Sequence, residues 1–251
     1  MIRTLFASLA VAVLALAGNV KSAHADGNNP VTLTASDGVK VYAWETSTGD
    51  KTKPIILLFH QAGSNHAEYD PIVPELVKAG FNTLALDQRS GAERWDVPNR
   101  TVKELGKSAG YNDALKDLQA AVAWPKTSGY TGKIIVWGSS YSSSLVFLLA
   151  AKEPAVSAVL SFSPGEYLGG ETTVKDAAKQ VKVPVFITSA KSKDEVAEAK
   201  AILGAVAAEK KTQFIPKIAG VHGSSTLRKD RNAGGLQENW AAVRAFLDSV
   251  R

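Results

Sequence analysis

The residue with the clearest chemical potential in this chain is Ser140. It lies in the segment Lys133-Ile-Ile-Val-Trp-Gly-Ser-Ser-Tyr-Ser-Ser-Ser-Leu-Val-Phe-Leu-Leu-Ala150, where a buried strand stops and an apolar helix begins almost at once. A tight strand–turn–helix of the G-x-S-x-G kind lifts a serine hydroxyl above a sheet, where it can attack a carbonyl carbon. Gly138 supplies the small residue before the serine, while Ser142 stands where the second glycine is usual. Taken alone the pattern is common, and serine is also a favoured helix N-cap. Its place between strand and helix favours the nucleophile.

A nucleophilic serine needs a base, and the chain has four histidines. His24 falls in an N-terminal segment that reads as removable, and His60 and His66 precede the nucleophile in one early loop. That leaves His222, set between small residues in Ile218-Ala-Gly-Val-His-Gly-Ser224. The base in turn needs a carboxylate to orient it and to stabilise its charged form. Asp194, beyond the predicted strand at 183–187, gives the order Ser…Asp…His. Glu195 is its neighbour, and Glu166 follows the preceding strand. Either Asp194 or Glu195 could instead simply charge a helix N-terminus, which acids favour.

Acyl transfer also needs two backbone N–H groups aimed at the developing oxyanion. One normally follows the nucleophile, here Tyr141. The other comes from the early strand–helix loop, here Gln61 in His60-Gln-Ala-Gly63. His60 then reads as a structural residue that holds this loop by hydrogen bonds. Trp95, in the patternless stretch 88–110, is a substrate-binding candidate; it could equally pin its own loop to the core.

The elements around these residues set the fold class. Alternation on either side of Asp37-Gly38 predicts an N-terminal hairpin over 31–36 and 39–44. Continuous apolar runs at 55–59, 81–86, 134–137, 158–162, 183–187 and 213–218 predict strands buried on both faces, as in a parallel sheet. Between them, helices are expected at 67–78, 113–124, 141–152, 174–180, 194–209 and 236–249. The last carries Trp240, Val243, Phe246 and Leu247 on one stripe. Strand and helix in alternation predict a three-layer α/β/α sandwich, its mostly parallel sheet beginning with an antiparallel hairpin. The loop 88–110 would lie at the carboxyl edge of that sheet, where such folds bind ligands.

Composition bounds the rest. Arg3, the apolar run 5–17 and Ala23-His24-Ala25 form a bacterial-type signal peptide, with cleavage expected after Ala25 and export to the periplasm or beyond. The run is too short to span a bilayer comfortably, so no lasting membrane association is expected. Loss of Arg3 and Lys21 takes the net charge from +5 to +3, with no basic run to suit nucleic acid. The remaining 26–251 suit one α/β domain. The absence of cysteine excludes disulfides, thiolate metal sites and a thiol nucleophile.

With these segments aligned, the chain resembles the α/β-hydrolase superfamily, and within it the small dienelactone-hydrolase-like and carboxylesterase-like members. The resemblance rests on His60-Gln-Ala-Gly63, Leu86-Asp-Gln-Arg89, Gly138-Ser-Ser-Tyr-Ser142, Asp194 and His222-Gly223, and covers nearly all of 31–249. It implies an eight-stranded, mostly parallel sheet and hydrolysis of a small-molecule ester through an acyl-enzyme, without metal or organic cofactor. Dienelactone hydrolases proper look to a cysteine nucleophile, which this chain lacks. Asp87-Gln-Arg89 resembles an Asp-x-Arg whose usual role is to brace loops. The span 163–182 leaves room for a loop and one short helix, so an open, lidless site for small or accessible acyl groups is implied. A non-catalytic small-molecule binder in the same cleft, or an acyltransferase on the same triad, are the competing readings.

Overall fold

A computed structural model describes residues 26–170 and 172–251. The expected signal peptide lies outside the described residues. Among the described residues eight strands form one sheet: β1 (Asp26–Thr34), β2 (Lys40–Ser47), β3 (Ile55–Phe59), β4 (Asn82–Asp87), β5 (Ile134–Ser139), β6 (Val156–Phe162), β7 (Val185–Thr188) and β8 (Lys211–Phe214). Their spatial order is β1-β2-β4-β3-β5-β6-β7-β8. β1 pairs antiparallel with β2 and β2 with β4, and every later pairing is parallel. The helices are α1 (Val73–Lys78), α2 (Arg100–Leu105), α3 (Leu115–Thr127), α4 (Tyr141–Lys152), α5 (Thr173–Ala178), α6 (Lys193–Ala205), α7 (Lys229–Asn232) and α8 (Leu236–Asp248). No helix among the described residues is long and apolar enough to cross a membrane.

The central strands are apolar throughout because both faces are covered. In β3, Ile55, Leu57 and Phe59 face one core and Ile56 and Leu58 the other. β5 divides likewise, with Ile134 and Val136 on one side and Ile135 and Trp137 on the other. This is the period of two that a pleated strand imposes. Helices α3, α4, α5 and α6 cover the first face; α1 and α8 cover the second, α8 through Trp240, Val243, Phe246 and Leu247.

Prolines account for three differences from the expected elements. The helix expected over 67–78 is a 3-10 turn at His66–Tyr69 followed by α1, because Pro71 cannot donate a helical N–H. β7 begins only after Pro184. β8 stops at Phe214 because Pro216 has no ladder donor, and Lys217, Ile218 and Ala219 donate instead to the Glu238 carboxylate at 3.1, 2.6 and 3.0 Å. The patternless stretch 88–110 contains α2, whose Asn99 side chain accepts from the Val102 N–H at 2.9 Å. Among the described residues between β6 and β7 the one helix is the six-residue α5, and these residues form no large lid over the carboxyl edge of the sheet.

Candidate active site

Ser140 occupies the turn between β5 and α4 with φ 56° and ψ −123°. A non-glycine residue in this region is strained and persists only where its surroundings over-determine it. Here its N–H is tied to the Phe162 carbonyl of β6 at 2.9 Å, and its carbonyl accepts from Ser143 N–H at 2.8 Å. Gly138 is required because a Cβ there would lie 2.3 Å from the Ser142 carbonyl oxygen. Ser142 is no defect in this turn. It is fully buried, and its hydroxyl donates to the His60 carbonyl at 2.6 Å while accepting from Gln88 Nε2 at 2.8 Å. The side chain therefore binds the start of α4 to the end of β3, which glycine could not do.

His222 sits beyond β8, and its Nε2 lies 2.8 Å from Ser140 Oγ. Its Nδ1 lies 3.1 Å from the Oε1 of Glu195. The expectation of Asp194 is thereby corrected: Asp194 is exposed, one position earlier on α6, and holds no hydrogen bond to the imidazole. The cause is the register of the helix start. Ser192 caps α6 by accepting from the Glu195 N–H at 3.4 Å, while the Glu195 carboxylate reaches back past Ser192 to the Ala190 N–H. A glutamate at that third position folds back over the helix start, toward the sheet edge and His222. Asp194 points away from it. Burial raises the pKa of Glu195, but hydrogen bonds from His222 and Ser163 outweigh it and hold the carboxyl below its ordinary value. Its second oxygen accepts from Ala190 N–H at 3.1 Å. Glu166 serves elsewhere, accepting from Val174 and Lys175 N–H at 2.7 and 3.0 Å to cap α5.

Ser163 carried no signal in the sequence beyond its place after β6. It has φ 59°, and its hydroxyl accepts from Gly223 N–H at 2.9 Å. Touching Glu195 as well, it fixes the histidine loop against the acid.

The Tyr141 N–H, at the first position of α4, meets no acceptor among the described residues and is free to donate to a ligand. Gln61 differs from expectation. Its N–H donates to the buried Glu68 carboxylate at 2.8 Å and is not available to an oxyanion. The next amide in the loop, that of Ala62, has no acceptor among the described residues and is an open donor directly after Gln61. His60 is fully buried; its Nε2 accepts from Gln88 N–H at 2.9 Å, so Nδ1 carries the proton and donates to the Gln61 carbonyl at 2.7 Å. Burial pushes its pKa down to about 4, which keeps the ring neutral.

Trp95 ties its loop to two others. Its indole N–H donates to Ser64 Oγ at 3.2 Å, and the Arg228 guanidinium lies 3.8 Å over the ring. Arg89 braces the fold beside the site, joining Asp117 of α3 at 2.7 Å to Asp37 of the β1–β2 turn at 2.6 Å.

Serine, imidazole and carboxylate in this order can move a proton from hydroxyl to ring while the carboxylate balances the ring's charge. Solved structures with the same fold include an esterase of Pyrococcus furiosus, with TM-score 0.68 and 20% identity over 88% of this chain and 90% of that one. A dienelactone hydrolase of Anabaena variabilis aligns with TM-score 0.68 and 18% identity over 90% and 99% of the two chains. A carboxyl esterase of Bacillus coagulans aligns with TM-score 0.67 and 12% identity over 89% and 98%. No curated protein sequence matches the chain. The family model for the dienelactone hydrolase family matches residues 40–249, spanning every element that carries the site, from the loop after β3 to the histidine beyond β8. The chain belongs to the dienelactone hydrolase family.

Proposed function

We propose that this protein is a serine esterase acting on small-molecule carboxylic esters with accessible acyl groups. The observation that carries the reading is the relay of Ser140 Oγ at 2.8 Å from His222 Nε2 and His222 Nδ1 at 3.1 Å from Glu195. Ser140 attacks the ester carbonyl as its proton passes to His222 Nε2. Charge collecting on the carbonyl oxygen is met by the amides of Tyr141 and Ala62, donors held in place by the turn and the loop that carry them. His222 then gives its proton to the departing alcohol, leaving an acyl group on Ser140. A water, deprotonated by the same imidazole, releases the acid. Glu195, kept ionised by its lowered pKa, holds the ring in the tautomer that accepts at Nε2. The absence of a large lid supports small substrates over long-chain lipids.

A fluorophosphonate probe is expected to label the folded protein on Ser140, and Ser140→Ala is expected to abolish both labelling and p-nitrophenyl acetate hydrolysis. A folded protein that takes up no probe would overturn the reading. Export belongs to the same proposal. Chain recovered from the periplasm or medium of a bacterial host should begin at Asp26, whereas recovery of the uncleaved chain alone, in the cytoplasm, would rule it out.

A further inference from the structure

Behind the relay lies a buried acid that none of the steps above uses. Glu68 is in the 3-10 turn His66–Tyr69 and has no solvent exposure. Burial pushes its carboxyl pKa up, against the hydrogen bonds from Ser139 and Gln61 and the charges of Arg94 and Arg228. A carboxylate in such a place costs several kcal/mol unless its oxygens are fully partnered. Both are. Oε2 accepts from Gln61 N–H at 2.8 Å, and Oε1 lies 2.6 Å from Ser139 Oγ.

The direction of the second bond follows from a third. Ser139 Oγ itself accepts from the Ser224 N–H at 2.9 Å. Its hydroxyl proton is therefore free to point at Glu68, which accepts it. One carboxylate thus joins three loops. Gln61 precedes the open amide of Ala62, Ser139 precedes the nucleophile, and Ser224 lies two residues after His222. The turn that carries Glu68 is itself fixed from both ends. Asn65 Nδ2 donates to the carbonyls of Ala92, Arg94 and Val97 at 3.2, 3.0 and 2.7 Å. Arg228 Nη1 donates to the carbonyls of Ala67 and Glu68, each at 2.9 Å. The histidine loop packs tightly on the same point, since a Cβ on Gly223 would fall 2.5 Å from Ser139 Oγ.

The structure assigns Glu68 as a positioning residue that holds the oxyanion loop, the nucleophile turn and the histidine loop in register through Gln61 N–H and Ser139 Oγ. The assignment rests on the esterase reading of the site. Glu68 touches no reacting atom. Its contribution is to fix the relative placement of groups that do, and misplacement by about 1 Å can cost on the order of 10²-fold in rate.

Glu68→Gln keeps the shape but leaves one acceptor oxygen for two donors. With p-nitrophenyl acetate as substrate, its kcat should fall roughly 10- to 100-fold while KM moves less than about threefold. A merely structural glutamate would lower the unfolding midpoint and leave kcat per folded molecule unchanged. A folded Glu68→Gln protein with kcat within twofold of wild type overturns the assignment. If that variant does not fold, Ser139→Ala decides by the same criterion, because it spares the Gln61 bond and cuts the other two. Hydrogen exchange read by mass spectrometry separates this inference from the functional one. Even with a wild type inert to esters, Glu68→Gln should speed exchange at 59–65 and 221–226 together, and unchanged protection of either segment also overturns it.

Discussion

At the scale of the residue, two adjacent acids on one helix turn have different fates. Asp194 and Glu195 share a charge and nearly a position, yet one is solvated and the other lies 3.1 Å from an imidazole nitrogen. The 100° between successive helix residues separates them. Replacing Glu195 by Gln should cut kcat by roughly 10³- to 10⁴-fold, since an amide leaves the imidazole free to take the wrong tautomer. Asp194→Asn should stay within twofold. Steady-state hydrolysis of p-nitrophenyl acetate by the two variants, with circular dichroism as the folding control, separates the roles. Loss of activity in the Asp194 variant alone would return the acid to its first expected place. The same scale explains Ser142, whose hydroxyl supplies a hydrogen bond where the usual glycine supplies only space.

At the scale of the element, the alternation of buried strand and amphipathic helix was plain in the sequence. Continuous apolar runs such as Ile55–Phe59 can be covered on both faces only between two helical layers. The nucleophile turn was legible for the same reason, since a strand and a helix meeting at Gly138-Ser-Ser140 leave few alternatives. What could not be read depended on hydrogen bonds between elements distant in the chain. The loop after β3 was recognisable from His60-Gln-Ala-Gly63, but which of its amides stays open depends on Glu68, seven residues beyond Gln61. The role of Trp95 is not legible in the sequence because its partners, Ser64 and Arg228, come from different loops. The acid has a usable local signal, the Ser192-x-x-Glu195 pattern at the start of α6, and chain order alone points one residue short of it. Prolines 71, 184 and 216 mark in the sequence where α1 and β7 can begin and where β8 must stop.

At the scale of the whole molecule, the buried histidine makes folding stability depend on pH. His60 has a folded pKa of about 4 against an ordinary 6.5, because burial penalises the imidazolium and its Nε2 already accepts from Gln88 N–H. Below pH 6.5 the unfolded chain binds a proton that the folded one refuses. The folded state is therefore at full advantage above about 6.5 and loses ground as the pH falls toward 4, by about 3 kcal/mol in all. Other groups add to the slope. Asp37, held low by its hydrogen bond to Arg89, loses its contribution in the same direction, but only below the ordinary carboxylate range. Glu68 and Asp117, both raised by burial, act with the opposite sign, favouring the folded state as they protonate. Comparing wild type with His60→Gln isolates the imidazole, since glutamine offers both a donor and an acceptor to the same partners and does not titrate. Between pH 7.5 and 4.5, urea unfolding should show wild type losing about 2.5 kcal/mol more than the variant. Equal losses in the two proteins would mean that His60 takes its proton near the ordinary pH, and would contradict the neutral ring that holds the loop after β3.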